Sequence, residues 1–159
     1  ARFGGGQERG RRPGTENGAA LVGFGVAVEW ALQELASDSA RVRALRDRFE
    51  AGLPRDAVVF GADAPRLPNT SNFALPGINA ETAVIAMDLE GVAISSGAAC
   101  SSGKVRSSRV LAAMSVAPEL AKAALRVSFG HESKDSDVDE ALYALNKIGA
   151  RRSLQGAAA

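Results

Sequence analysis

The chain has 159 residues, 46% of them hydrophobic but only 5% aromatic, and its 19 basic and 18 acidic side chains leave a net charge of +1. That length allows one domain, or one lobe of a larger protein, around an aliphatic core. The charge balance gives no electrostatic case for nucleic acid or an anionic membrane; a single Cys excludes an internal disulfide framework and fits a reducing cytoplasm, and one Cys with one His argues against a self-contained zinc site.

No run of about 18 apolar residues marks a membrane span, so no membrane association is expected, and no apolar segment follows the first residues as a signal peptide requires. The chain opens on Ala1, not Met, directly in a charged glycine loop, and reads as a fragment whose N-terminal portion precedes it, a start that N-terminal processing would also give. Residues 1–14 carry five Gly and four Arg and read as an irregular basic loop. A long helix is expected over Thr15–Ala51, with Thr15 as N-cap and Glu16 in the first turn. Leu21, Phe24, Val28, Ala31, Leu32 and Leu35 form an apolar stripe along it, and Trp30 reads as core or interface. Gly52-Leu53-Pro54 ends it.

Short strands follow at Ala57–Phe60 and Thr70–Leu75, the second stopped by Pro76-Gly77. Asn79 caps a helix to Leu89 whose candidate buried positions are Ala83, Val84, Ala86 and Met87. Gly91 ends that helix and Val92–Ile94 form a strand. Helices at Ser108–Met114 and Pro118–Lys122 precede an apolar strand, Ala124–Phe129. A last helix over Ser136–Gly149 has an acidic first turn, and Arg151–Ala159 reads as a frayed tail. This order implies an α/β lobe with helices packed on a short sheet.

Cys100 lies in Ser95-Ser96-Gly97-Ala98-Ala99-Cys100-Ser101-Ser102-Gly103, a run made only of Ser, Gly and Ala around the thiol. A structural Cys usually sits among large apolar side chains, and none is near. The composition describes an accessible thiol that can act as a nucleophile once ionised.

Three stretches together resemble cysteine desulfurases of the NifS/IscS type. They are Gly4-Gly5-Gly6-Gln7-Glu8-Arg9-Gly10 with Arg12-Pro13-Gly14-Thr15-Glu16-Asn17, the Cys100 run, and Leu125-Arg126-Val127-Ser128-Phe129-Gly130. Each alone is weak; in this order and spacing they are specific. The Cys100 run is similar to that of the subgroup with a long loop. The resemblance implies the C-terminal part of a fold-type I pyridoxal-phosphate enzyme of the class-V aminotransferase-like family. It divides the chain into 1–14, the end of a large cofactor domain; 15–51, a connecting helix; 52–150, a small α/β domain; and 151–159, a flexible tail.

The implied reaction removes sulfur from L-cysteine to give L-alanine and a persulfide on Cys100. The sulfur would go to iron–sulfur or nitrogenase metallocluster assembly through a scaffold or acceptor protein, from a cytoplasmic homodimer. By the same resemblance Arg126 holds the substrate carboxylate and Thr15 contacts the phosphate of pyridoxal 5'-phosphate, in the partner subunit. Cys100 could also serve as one ligand of a transient [2Fe–2S] cluster shared with a scaffold, since a single Cys cannot hold a cluster alone.

From the residues alone Arg126 reads equally as an outward arginine on a half-buried strand, Thr15 as a plain cap, and Arg9, Arg11 and Arg12 as solvated loop charges. Asn69-Thr70-Ser71-Asn72-Phe73 also resembles the family and is assigned structure rather than chemistry. His131 reads as a surface residue. The chain departs from the family in Lys104-Val105-Arg106-Ser107-Ser108-Arg109, which is more basic, and in His131-Glu132-Ser133-Lys134. None of Lys104, Lys122, Lys134 or Lys147 lies in a motif for the cofactor lysine, so this stretch alone is expected to be inert. The alternatives are a selenocysteine lyase or aminotransferase of the same fold, and a non-catalytic thiol or redox module.

Overall fold

The structure, a computed structural model, describes residues 4–97 and 108–156, with side chains as far as Ala150. It divides into two compact units, Ala1–Ser37 and Asp38–Ala159.

In the first unit the glycine-rich stretch folds around a 3-10 turn, Gln7–Gly10. Gly10 and Gly14 take φ of 74° and 91°, left-handed backbone that glycine adopts without a Cβ penalty. Helix α1 spans Gly18–Ala51 and continues into the second unit. It starts later than the expected Thr15. Asn17 Oδ1 accepts a 3.1 Å hydrogen bond from the Ala20 backbone N–H, so Asn17, a strong capping residue directly ahead of the apolar run, caps it instead.

The apolar stripe of α1 is exposed in this chain, with Leu21 at 62%, Phe24 at 70% and Leu32 at 68%. An 18-residue window of α1 reaches a mean hydropathy of 1.3, so by length and composition alone this helix could cross a bilayer. Strictly apolar runs along it stay well short of about 18 residues, as the sequence leads one to expect, because Glu29 interrupts them.

The second unit holds the C-terminal half of α1 and a four-stranded antiparallel sheet. Its strands are β1 (Val58–Val59), β2 (Thr70–Ala74), β3 (Ser95–Ser96) and β4 (Ala124–Ser128), in the order β1-β2-β4-β3. Helix α2 (Ala80–Leu89) precedes β3; α3 (Arg109–Ala113) and α4 (Pro118–Lys122) precede β4; α5 (Asp135–Gly156) follows it. Helix α5 runs beyond the expected end at Gly149, so the tail is helical through Gly156. Asn79 caps α2 through a hydrogen bond from the Glu81 N–H. Strand β3 forms at Ser95–Ser96 rather than at Val92–Ile94, because the residues that find partners on β4 are the two serines.

Strand alternation puts Leu125 and Val127 of β4 beside Phe73 of β2 and Phe49 of α1 in the main core, which α2 and α5 complete with Met87, Val138 and Leu145. Phe49 has no exposed surface. Its ring meets Phe73 at 5.5 Å and Phe129 at 5.9 Å, both edge-on, contacts worth about 0.5–1.5 kcal/mol each beyond burial. A smaller cluster, Phe60, Ala74, Leu111, Ala123 and Ala124, includes the alternate positions of the same two strands.

Arginines of α1 tie the unit together. Arg41 donates to the Ser133 carbonyl at 2.6 Å, holding the turn after β4, and Arg48 reaches Asp135 and Asp139 of α5 at 3.1 and 2.6 Å. Arg46, 5% exposed, bonds the Leu67 carbonyl at 2.9 Å. Arg66 grips Glu50 through two hydrogen bonds of 2.7 and 3.0 Å. Partial burial alone would raise the Glu50 carboxyl, but the Arg66 hydrogen bonds and charge, with Arg46 nearby, outweigh it and hold the group below its ordinary 4.5.

Two outcomes follow from this packing. A carboxylate lowered by folding contributes stability above its unfolded pKa and loses it as pH falls through the lower folded value. Glu50→Gln should therefore cost about 1–2 kcal/mol near neutral pH, allowing for partial solvent screening. The gap to the parent protein should close as pH drops below 4.5, as read by urea unfolding across pH. At the root of the segment after β3, the Gly97 N–H donates to the Ala124 carbonyl at 2.7 Å. A Cβ on residue 97 would lie 2.7 Å from the Ala124 Cβ and 3.3 Å from its carbonyl oxygen. Gly97→Ala should cost about 1–3 kcal/mol by forcing β3 and β4 apart, and Gly97→Ala with Ala124→Gly should recover most of that loss in the same assay.

Candidate functional site

The β2–β4–β3 sheet carries a polar row on the side away from Leu125 and Val127. Arg126 pairs in register with Asn72 of β2 and Ser95 of β3, and Thr70 lies opposite Ser128 one step along. Residues directly opposite on antiparallel strands share a face, with Cβ atoms about 5 Å apart. Arg126 is therefore an outward arginine on a strand whose other face is core, exposed while its neighbours Leu125 and Val127 are buried.

Its environment is specific. Arg126 Nη2 donates to Ser95 Oγ at 3.3 Å, and among the described residues no carboxylate pairs with it. Asn72 Oδ1 is closed off from solvent and accepts no hydrogen bond among the described residues. An unmet buried acceptor costs about 1–3 kcal/mol, and such an atom is an exception in a folded chain. A cationic fork with unused donors, beside a hydroxyl and an unmet amide oxygen, suits a planar carboxylate bound through two parallel hydrogen bonds.

Thr15 lies in the first unit, exposed and outside α1. Because Asn17 takes the capping role, the Thr15 hydroxyl makes no hydrogen bond among the described residues. Arg12 Nη1 donates to the Pro13, Gly14 and Thr15 carbonyls at 3.3–3.5 Å, and Arg12 lies 3.9 Å from Glu8. A free hydroxyl in a glycine-rich loop, with arginine beside it, fits a phosphate group. His131 is exposed on the turn after β4. Cys100 lies outside the described residues. Among the described residues no cluster of His, Cys, Asp and Glu could hold a metal ion.

One cleft of about 190 Å³ lies between Pro54, Asp56, Leu75, Ile78 and Asn146. It is smaller than the roughly 300 Å³ of ordinary ligand pockets and shares no residue with the Arg126 row.

Sequence reasoning found Arg126 but missed Ser95 and Asn72 as its neighbours. The signal lay in polar residues at alternate positions of a strand that is otherwise buried, Thr70 and Asn72 against Ser71 and Phe73. Only the register shows that these positions meet Arg126.

The family model described as aminotransferase class-V matches residues 5–141, a range that contains all of α1. A cysteine desulfurase of Gluconacetobacter diazotrophicus is 46% identical over 93% of this chain and 38% of its own length. The cysteine desulfurase NifS of Azotobacter vinelandii is 40% identical over the same shares. A cysteine desulfurase IscS of Clostridium botulinum is 37% identical over 91% of this chain and 38% of its own length. Among solved structures, a NifS-like protein of Rickettsia africae superposes with a TM-score of 0.79 at 29% identity, over 93% of this chain and 39% of that one. A second NifS-like protein gives 0.78 at 31%, over 92% and 38%. The chain thus spans less than two-fifths of the length of these relatives, and its α/β arrangement is that of the matching part of the NifS-like structures. With a family match running from the glycine loop into α5, the chain belongs to the class-V aminotransferase family.

Proposed function

We propose that this chain is the C-terminal part of a pyridoxal-phosphate-dependent cysteine desulfurase. In this reading residues 1–14 end the cofactor domain, 15–51 connect, and 52–150 form the small domain. The observation that carries it is the Arg126 row: an exposed guanidinium without a carboxylate partner among the described residues, held by Ser95 on the strand that leads to Cys100. The names of the relatives support the same reaction.

Arg126 binds the carboxylate of L-cysteine through its two-pronged fork and fixes the direction in which the substrate thiol points. The Thr15 hydroxyl and neighbouring loop N–H groups hold the phosphate of pyridoxal 5'-phosphate, reached in the partner subunit of a homodimer. Bound there, the cofactor is an electron sink that weakens the bond from the substrate Cβ to sulfur. The Cys100 thiolate attacks that sulfur. A sulfur–sulfur bond forms, the carbon–sulfur bond breaks with its electron pair left on carbon, and protonation there gives L-alanine.

Residue spacing makes this reach feasible. Ser95 is in register with Arg126 and Cys100 is five residues further on, so at ~3.6 Å per residue at most about 18 Å of chain separates the two Cα positions. The Cys100 persulfide then passes its outer sulfur to a scaffold or acceptor protein for iron–sulfur or nitrogenase cluster assembly in the cytoplasm. At that handover Cys100 can act as one ligand of a transient [2Fe–2S] cluster.

In the full-length protein, Cys100→Ser should abolish sulfur transfer while the cofactor absorbance stays; sulfur transfer at the parent rate would overturn the assignment. Arg126→Ala should raise KM for L-cysteine by about 100-fold, the loss expected for a charged two-bond contact. Cofactor affinity should stay within about 2-fold under the same reasoning; an unchanged KM would remove Arg126 from the site.

A further inference from the structure

The unused hydrogen-bonding capacity around Arg126 is unequal on its two sides. Toward β3, Ser95 Oγ already accepts from Nη2 at 3.3 Å. Toward β2, Asn72 is in register with Arg126, yet its Oδ1 is shut away from water with no donor among the described residues. A guanidinium offers five N–H donors in a fixed plane, and a carboxylate bound two-pronged takes two of them. Enough remain to meet both Ser95 and Asn72 while a carboxylate is bound. An arginine on an exposed strand face has many rotamers; the Ser95 bond already restricts the fork, and a bond to Asn72 formed as the ligand arrives offsets part of the entropy then lost.

We propose that Asn72 and Ser95 are positioning residues that clamp Arg126 from both flanking strands, so that the cross-strand row Asn72–Arg126–Ser95 is one carboxylate-recognition unit. This rests on the reading of Arg126 as the substrate carboxylate site. In the ligand-bound state the Asn72 Oδ1 accepts from the Arg126 fork, which removes the unmet acceptor, and Ser95 keeps its bond on the other side. Neither residue touches the reacting sulfur, so the clamp acts on capture of the substrate and not on the chemical step.

The clamp makes a distinguishing prediction. A merely structural role would let Asn72→Asp act on folding, where a buried carboxylate is costly, and leave KM for L-cysteine where Asn72→Ala leaves it. A clamp beside a cation makes Asn72→Asp the harsher change for KM, because the introduced carboxylate occupies the guanidinium in place of the ligand. In the full-length holoenzyme, Asn72→Ala and Ser95→Ala should each raise KM for L-cysteine by roughly 3- to 10-fold with kcat within about 2-fold, the range for one hydrogen bond to a charged group. Asn72→Asp should raise KM further than Asn72→Ala, and Ser95→Asp further than Ser95→Ala.

Calorimetric titration with L-alanine, a carboxylate ligand read without turnover, should give Kd values in the same order. Should the Asn72 variants fail to fold by thermal unfolding, the two Ser95 variants decide. Asp variants no worse than Ala variants, or a fall in kcat at constant KM, would overturn the clamp. Arg126→Ala is measured alongside. If it leaves KM and Kd unchanged, the carboxylate reading itself has failed; if it raises them while the Asp variants are no worse than the Ala variants, only the clamp has.

Discussion

The pairing of β4 with β2 and β3 is the constraint on which the rest of the second unit depends. It aligns five residue pairs between β2 and β4 and two between β3 and β4. A one-residue slip would turn every side chain of β4 to the other face. Leu125 and Val127 would leave Phe49 and Phe73, and Arg126 would be driven into an apolar core without a partner, a costly burial for a charge. The core therefore selects the register, and the register brings Asn72, Arg126 and Ser95 into line. The same pairing fixes the root of the Cys100 segment, because Gly97 closes against Ala124 at the end of β4.

The α1 arginines act as fasteners for that arrangement. Arg41 holds the turn that leaves β4 and Arg48 holds the start of α5. Glu50 and Arg66 join α1 to the segment that leads into β2. The surface pairs contribute little individually in water. Their role is to fix the two ends of the sheet against one helix, which leaves the polar row on its far side open.

Much of this was legible in the sequence, for identifiable reasons. Helix α2 lies within one residue of its expected start because Asn79 caps it and Gly91 stops it. Strand β4 was visible as a short apolar run, and Arg126 stood out as the charge within it. Other features depend on contacts that no local pattern carries. The start of α1 shifted because Asn17 outcompetes Thr15 as a cap, an outcome that frees the Thr15 hydroxyl. Strand β3 moved onto the serines because only these meet β4. Ser95 and Asn72 join Arg126 from 31 and 54 positions away in sequence, distances that only strand pairing closes. The apolar stripe of α1 was read correctly as a pattern, but in this chain it stays exposed.

Under the proposed function the Arg126 row and Cys100 serve one chemical act, transfer of sulfur from a carboxylate-anchored cysteine to Cys100. The most direct measurement is intact and peptide mass spectrometry of the full-length holoenzyme after one turnover of L-cysteine without an acceptor. The account predicts that the peptide containing Cys100 gains the mass of one sulfur atom, that the gain is removed by a reducing thiol, and that Arg126→Ala suppresses it at low substrate concentration. An unmodified Cys100 peptide after one equivalent of L-alanine has formed would contradict it.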